Sequence, residues 1–178
     1  KTDSEVSSLS VLGGGDDVYC TADTLYVYGY DYDRDSQLQS TVIYSFSIDG
    51  TDLKHKATGS VPGSTVNQYS FDEYKGYLRV ATTRYDYRNN VDISSVYILN
   101  SELEKVGEVF DLADDEQVKA VRFMGDTGYV VTFRNTDPLF ILDLSDPANP
   151  TVTGELKIPG YSAYIHPIGN DYLVGIGY

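Results

Sequence analysis

The chain of 178 residues contains one cysteine, no tryptophan and two histidines. A single thiol, Cys20, excludes an internal disulfide but does not fix a redox compartment. Basic residues are scarce as well. Thirteen Lys and Arg stand against 27 Asp and Glu, giving a formal net charge of −14. Such a chain repels phosphate backbones, which excludes nucleic acid as a partner class. No apolar run approaches the ~20 residues of a membrane-spanning helix, so no membrane span is expected. The opening stretch KTDSEVSSLS lacks the apolar stretch of a secretory signal. If the protein is exported, its signal is expected upstream of Lys1.

Catalytic motifs are missing too. No serine sits in a G-x-S-x-G elbow, and Gly13–Gly15 lacks the Lys-Ser/Thr pair and the helix of a phosphate loop. His55, between Lys54 and Lys56, reads as solvated. His166, in SAYIHPI, reads as a packed structural residue, because a lone histidine without partners is weak ground for a site. Cys20 alternates with Tyr19 in VYCTA and reads as a buried strand thiol. Nothing here assembles an active centre.

What the sequence holds in quantity is tyrosine, 17 residues, together with 16 glycines. Tyr, Val and Thr suit a pleated, half-buried surface, so the composition points to β structure. The chain also repeats. ADTLYVYGY, YKGYLRVAT, DTGYVVTFR and GNDYLVGIG each join a turn to an aromatic or apolar strand. TGSV, VGEV and TGEL place Gly59, Gly107 and Gly154 at intervals of 48 and 47 residues. SVPG and KIPG mark the ends of two units. A period of ~45–50 residues matches a four-stranded propeller blade and is too long for leucine-rich or ankyrin units.

Each unit divides into four strands, a to d, separated by turn signals such as IDG, GDTG and DPANP. The expected fold is all-β: a β-propeller fragment of about three and a half four-stranded antiparallel blades. The blades fall near 16–63, 64–115 and 116–160, with a half blade at 161–178. Residues 1–15 form an N-terminal strand or linker. Leu99, Leu103, Val106 and Phe110 have helical spacing, but Gly107 disfavours a helix interior and the repeat places this stretch on a strand. Alternation assigns Leu25, Val27, Leu78, Val80, Val130, Leu173, Ile43, Ile98 and Ile141 to the core between blades. DYLVGIGY would leave an open strand edge. Further blades of the same protein, or a second chain, are expected to cover it.

The stretch from Tyr129 to Gly177, with GGGDDVYCTADTLYVYGY near the start, resembles a family of secreted bacterial β-propellers distantly related to WD40 repeats. The resemblance implies export to the cell surface or the extracellular space of a bacterium. It supplies no catalytic residues, and none is carried over.

Two groups of residues remain as candidate sites. DYDRDS sets Asp31, Asp33 and Asp35 at the alternation that calcium loops use. The later positions of such a loop are absent: Ser36 replaces the turn glycine and Val42 stands where a glutamate would close the site. Calcium is therefore the one cofactor offered, and a solvated acidic loop is the competing reading. The second group comes from the b–c and d–a loops, which share one face of a propeller. Tyr32, Arg34, Tyr85, Tyr87, Arg88 and Arg134 gather there, with Tyr30, Arg84 and Tyr161 nearby. Tyr and Arg are enriched where proteins anchor partners. The leading functional expectation is a noncatalytic extracellular or cell-surface binding or scaffold module, with a protein or polysaccharide held on this face. The alternatives are a propeller enzyme whose active site is completed by blades missing from this chain, and a structural stalk.

Overall fold

The computed structural model describes residues 14–35, 37–133, 137–158, 162–169 and 172–177. The first sheet pairs β1 (Asp17–Cys20), β2 (Thr24–Asp33), β3 (Leu38–Asp49) and β4 (Asp52–Pro62) in chain order. The second pairs β5 (Phe71–Tyr74), β6 (Tyr77–Asp86), β7 (Val91–Leu99) and β8 (Lys105–Val109). The third pairs β9 (Gln117–Met124), β10 (Thr127–Phe133), β11 (Asp137–Asp143) and β12 (Thr151–Ile158), and β13 (Ser162–Ile168) pairs with β14 (Tyr172–Gly177). All pairs are antiparallel. Three four-stranded blades and two strands of a fourth are therefore in place, as the repeat predicts. The helical reading of 99–110 is set aside by β8 and by Leu103, whose φ of 59° no helix accommodates. Helical structure among the described residues is one 3-10 turn, Gln68–Ser70, capped by Asn67 Oδ1, which accepts from the Tyr69 amide at 2.9 Å.

Period-two alternation places one face of each sheet against the next blade. The second blade is buried on both faces, so β7 is covered almost throughout. Its Tyr97 and Leu99 pack toward the first blade, and its Val96 and Ile98 toward the third. Burying each such side chain stabilises by about 1.5–3 kcal/mol. Leu78, Val80, Val130, Ile43 and Ile98 lie in these cores. Leu173 packs partly buried beside Ala120, Val131 and Ile165, and Ile141 is half-buried.

The expectation for β2 was one residue out of step. Tyr26 and Tyr28 are buried, at 5% and 4% exposure, while Leu25 and Val27 lie half-covered on the other face. The tyrosines win the interior because the second blade satisfies them. Tyr28 stacks on Phe71 with centroids 4.1 Å apart. Tyr26 Oη donates to Glu73 Oε2 at 3.0 Å. Thr21 Oγ1 donates to the same oxygen at 3.2 Å, and the Glu73 amide donates to Tyr19 Oη at 3.1 Å. One glutamate thus ties three residues of the first blade to the second.

The other buried polar group is Arg79, 3% exposed. It pairs with Asp72, donates to the Gly125 carbonyl, and lies 5.0 Å from the ring centroids of both Tyr74 and Phe123. A buried charge persists only when paired and hydrogen-bonded in this way.

Candidate functional site

The b–c hairpins are longer than the sequence suggests. β2 and β3 continue pairing out to Asp33 and Leu38, and β6 and β7 out to Asp86 and Val91. What read as loops are twisted two-stranded arms with tight tips. The d–a connections are pinned beneath them. Ser64 and Thr83 exchange backbone hydrogen bonds at 2.8 and 3.0 Å, and the Leu112 amide donates to the Ser94 carbonyl at 2.7 Å. The arms therefore stand at fixed positions on the blades.

This geometry brings the predicted tyrosines together. Tyr32 and Tyr87, from different blades, meet edge to face with centroids 6.5 Å apart, and Tyr85 meets Tyr87 at 5.0 Å. Edge-to-face contact suits the ring quadrupoles and leaves ring surface free. Tyr32 and Tyr87 remain 37% and 47% exposed. Gln39 holds the pair of blades in register: its Nε2 donates to Tyr87 Oη at 3.3 Å, and its Oε1 accepts from the Tyr85 amide at 3.3 Å. Tyr85 Oη donates to Asn90 Oδ1. Loss of solvent and the neighbouring Tyr87 hold the Tyr32 phenol above its ordinary value. At the tip of the second arm, bonds from Asn89 Nδ2 and the Arg88 amide keep the Asp86 carboxyl below the usual carboxylate range.

Beside the tyrosines runs a groove of about 730 Å³, walled by Gln39, Thr65, Tyr85, Tyr87, Gln117 and Lys119 among others. Its polar groups are linked in a chain. Lys119 Nζ donates to Gln117 Oε1 at 2.8 Å, and Gln117 Nε2 donates to Asp92 Oδ2 at 2.7 Å. Amides, hydroxyls and one ammonium thus face the groove in fixed orientations. Sequence reading missed Gln39, Gln117 and Lys119. Gln39 reaches a tyrosine 48 positions away, and no local pattern carries such a contact.

Arg34 and Arg88 lie exposed at the two arm tips. Arg84, which was placed with them, turns away and covers the Phe110 ring at 5.8 Å. Arg134 and Tyr161 lie outside the described residues. The acidic trio does not form a calcium loop. Asp31 and Asp33 are spread along β2, and the Asp35 amide donates to Asp33 Oδ1 at 2.9 Å. Among the described residues no three His, Cys, Asp or Glu side chains gather to hold a metal ion. The physical reason is the extended backbone: alternate residues on a strand stand ~6.5–7 Å apart, whereas a calcium loop must curl.

Cys20 and His166 also depart from expectation. Cys20 is exposed and His166 is exposed. His166 Nδ1 lies 3.1 Å from Tyr164 Oη, and His55 Nε2 lies 2.9 Å from Thr58 Oγ1. A second cavity, of about 460 Å³, is bounded by Cys20, Tyr69, Phe71, Asp72 and Arg122 against the innermost strands. Its aspartate is already committed to Arg79.

No helix among the described residues is long and apolar enough to cross a membrane. A family model for the beta propeller domain matches residues 1–178. An uncharacterized protein of Methanocaldococcus jannaschii is 48% identical over 142 residues, covering 79% of this chain and 22% of the relative. An uncharacterized protein of Archaeoglobus fulgidus is 48% identical over 141 residues, with the same coverage. The chain thus spans about a fifth of the length of these relatives. Both are archaeal, so they give no support to the bacterial source that the resemblance implied, and neither bears out secretion or a tie to WD40 repeats. The match over the whole chain, on blades of four antiparallel strands, places this protein in the beta propeller domain family.

Proposed function

We propose that this propeller is a noncatalytic binding module at the cell exterior that holds a polysaccharide against Tyr32, Tyr85 and Tyr87. The carrying observation is the meeting of these rings from two blades above a groove of amides and hydroxyls. Sugar rings present apolar faces to aromatic side chains and hydroxyl edges to polar ones. Rigid tyrosines offer contact area at low entropic cost, and loops set on a rigid scaffold are where such surfaces are built. Arg34 and Arg88 extend the surface at its rim and suit acidic substituents on the chain.

The test is retention of the protein on insoluble cell-surface polysaccharide. Truncating a true anchor costs ~2 kcal/mol or more, about thirtyfold in affinity. Tyr32→Ala with Tyr87→Ala is expected to abolish retention and leave the melting temperature unchanged. Equal retention of both proteins places binding on another face. Retention of neither supports a structural role.

A further inference from the structure

The repeated glycines Gly59, Gly107 and Gly154 occupy one position in three blades. Each lies opposite an isoleucine of the adjacent strand: Ile43, Ile98 and Ile141. In the first blade a Cβ on Gly59 would stand 2.6 Å from Leu103 Cβ and 2.7 Å from the Leu103 carbonyl oxygen. In the second, a Cβ on Gly107 would stand 2.2 Å from the Pro147 carbonyl oxygen and 2.9 Å from Pro150 Cδ. Both intruding segments are the turn between the third and fourth strands of the following blade. The glycine is a socket: it lets the next blade's turn rest directly on the sheet, the close approach for which a strand tolerates glycine.

The third socket is open. A Cβ on Gly154 would meet only Ile141 of its own sheet, at an ordinary 3.5 Å. The residue two places beyond each glycine reports the same difference. Val61 and Val109 are 2% and 9% exposed, and Leu156 is 55% exposed. Ile43 and Ile98 are sealed, and Ile141 is half-buried.

We propose that the face formed by Ile141, Gly154 and Leu156 docks the turn of a fourth-blade hairpin. That hairpin pairs along the edge of β14 and returns its turn, apolar on the inner side, onto Gly154. The argument is continuity with two interfaces already formed on equivalent residues. The relatives, of which this chain matches about a fifth, have ample length for such a hairpin. A second copy of this chain fits poorly. Its turns at Leu103 and Pro147 already fill their own sockets, and its remaining turn, Asp49–Asp52, is exposed, acidic and without an apolar residue.

The experiment is maleimide labelling of Leu156→Cys in the protein at its natural length, with Cys20→Ser to remove the exposed thiol. Lys157→Cys, on the opposite face, is the reference. Labelling of Leu156→Cys is expected at least tenfold slower than the reference, and addition of Gly154→Phe is expected to abolish that protection. Equal rates at the two positions would overturn the proposal, as would protection that survives Gly154→Phe. Protection that disappears on dilution would assign the face to a second copy and overturn it equally.

Discussion

Alkaline pH should unfold this protein through its buried tyrosines. Burial raises the Tyr28 phenol to about 12 from its model value of 10.0, with the Asp17 charge adding to the effect. Burial and then the Glu73 charge raise Tyr26, and burial raises Tyr97. The sign follows from proton binding. Below pH 10 both folded and unfolded chains hold these protons, and the stabilisation is fully present. Between pH 10 and about 12 the unfolded chain releases the Tyr28 proton while the folded one keeps it, so stability falls as pH rises. Two pH units at 1.36 kcal/mol each correspond to about 2–3 kcal/mol from Tyr28, which is 4% exposed. Tyr26 and Tyr97 act in the same direction. The exposed Lys75, raised first by its bond to Asp126, does so as well. Urea unfolding midpoints followed from neutral pH upward, together with tyrosinate absorbance, measure this directly. The expected result is a midpoint that drops above pH 10, and a set of tyrosines that ionises only as the fold is lost. Reversible ionisation of all 17 tyrosines near pH 10 with no change in midpoint would refute the reasoning.

Gly59→Ala and Gly107→Ala should each cost ~1–3 kcal/mol or more, because the clashing atoms include backbone oxygens that cannot rotate aside. Thermal melts should fall by about 2–4 °C per kcal/mol for a chain of this size, and Gly76→Ala, where the space is open but φ is 80°, gives a comparison from backbone strain alone. Arg79→Ala leaves Asp72 without its partner beside Phe123. It should cost ~3 kcal/mol or more, and a melting temperature within one degree of wild type would show that water replaces the guanidinium at no cost. Tyr26→Phe removes the hydroxyl bond to Glu73 and should cost ~1.5 kcal/mol or more, a value that calorimetry separates from zero.

The blade repeat was legible in the sequence because each unit needs the same local grammar: a turn, an alternating strand, another turn. Turn chemistry and period-two alternation act within a few residues, so ADTLYVYGY and DTGYVVTFR carry their strands with them. The glycines at 59, 107 and 154 were visible as a repeat for the same reason. Why those positions are glycine was not visible, since Leu103 and Pro147 reach them from other blades. Alternation alone also does not say which face turns inward. Leu25 and Val27 look like the core face of β2 by hydropathy. Tyr26 and Tyr28 take it because Phe71 and Glu73 of the next blade offer a ring to stack on and a carboxylate to bond. The candidate site divides in the same way. Tyr32 and Tyr87 could be marked from the sequence as loop-face aromatics, but their contact depends on two hairpin arms extending further than their turn residues suggest, and on Gln39 bridging the blades. The acidic trio failed because ladder pairing out to Asp33 keeps β2 extended, and an extended strand spreads the carboxylates that a curled loop would gather. Local periodicity fixes which elements form. Contacts between residues ~50 positions apart, set by how blades stack, decide which of their faces and side chains meet.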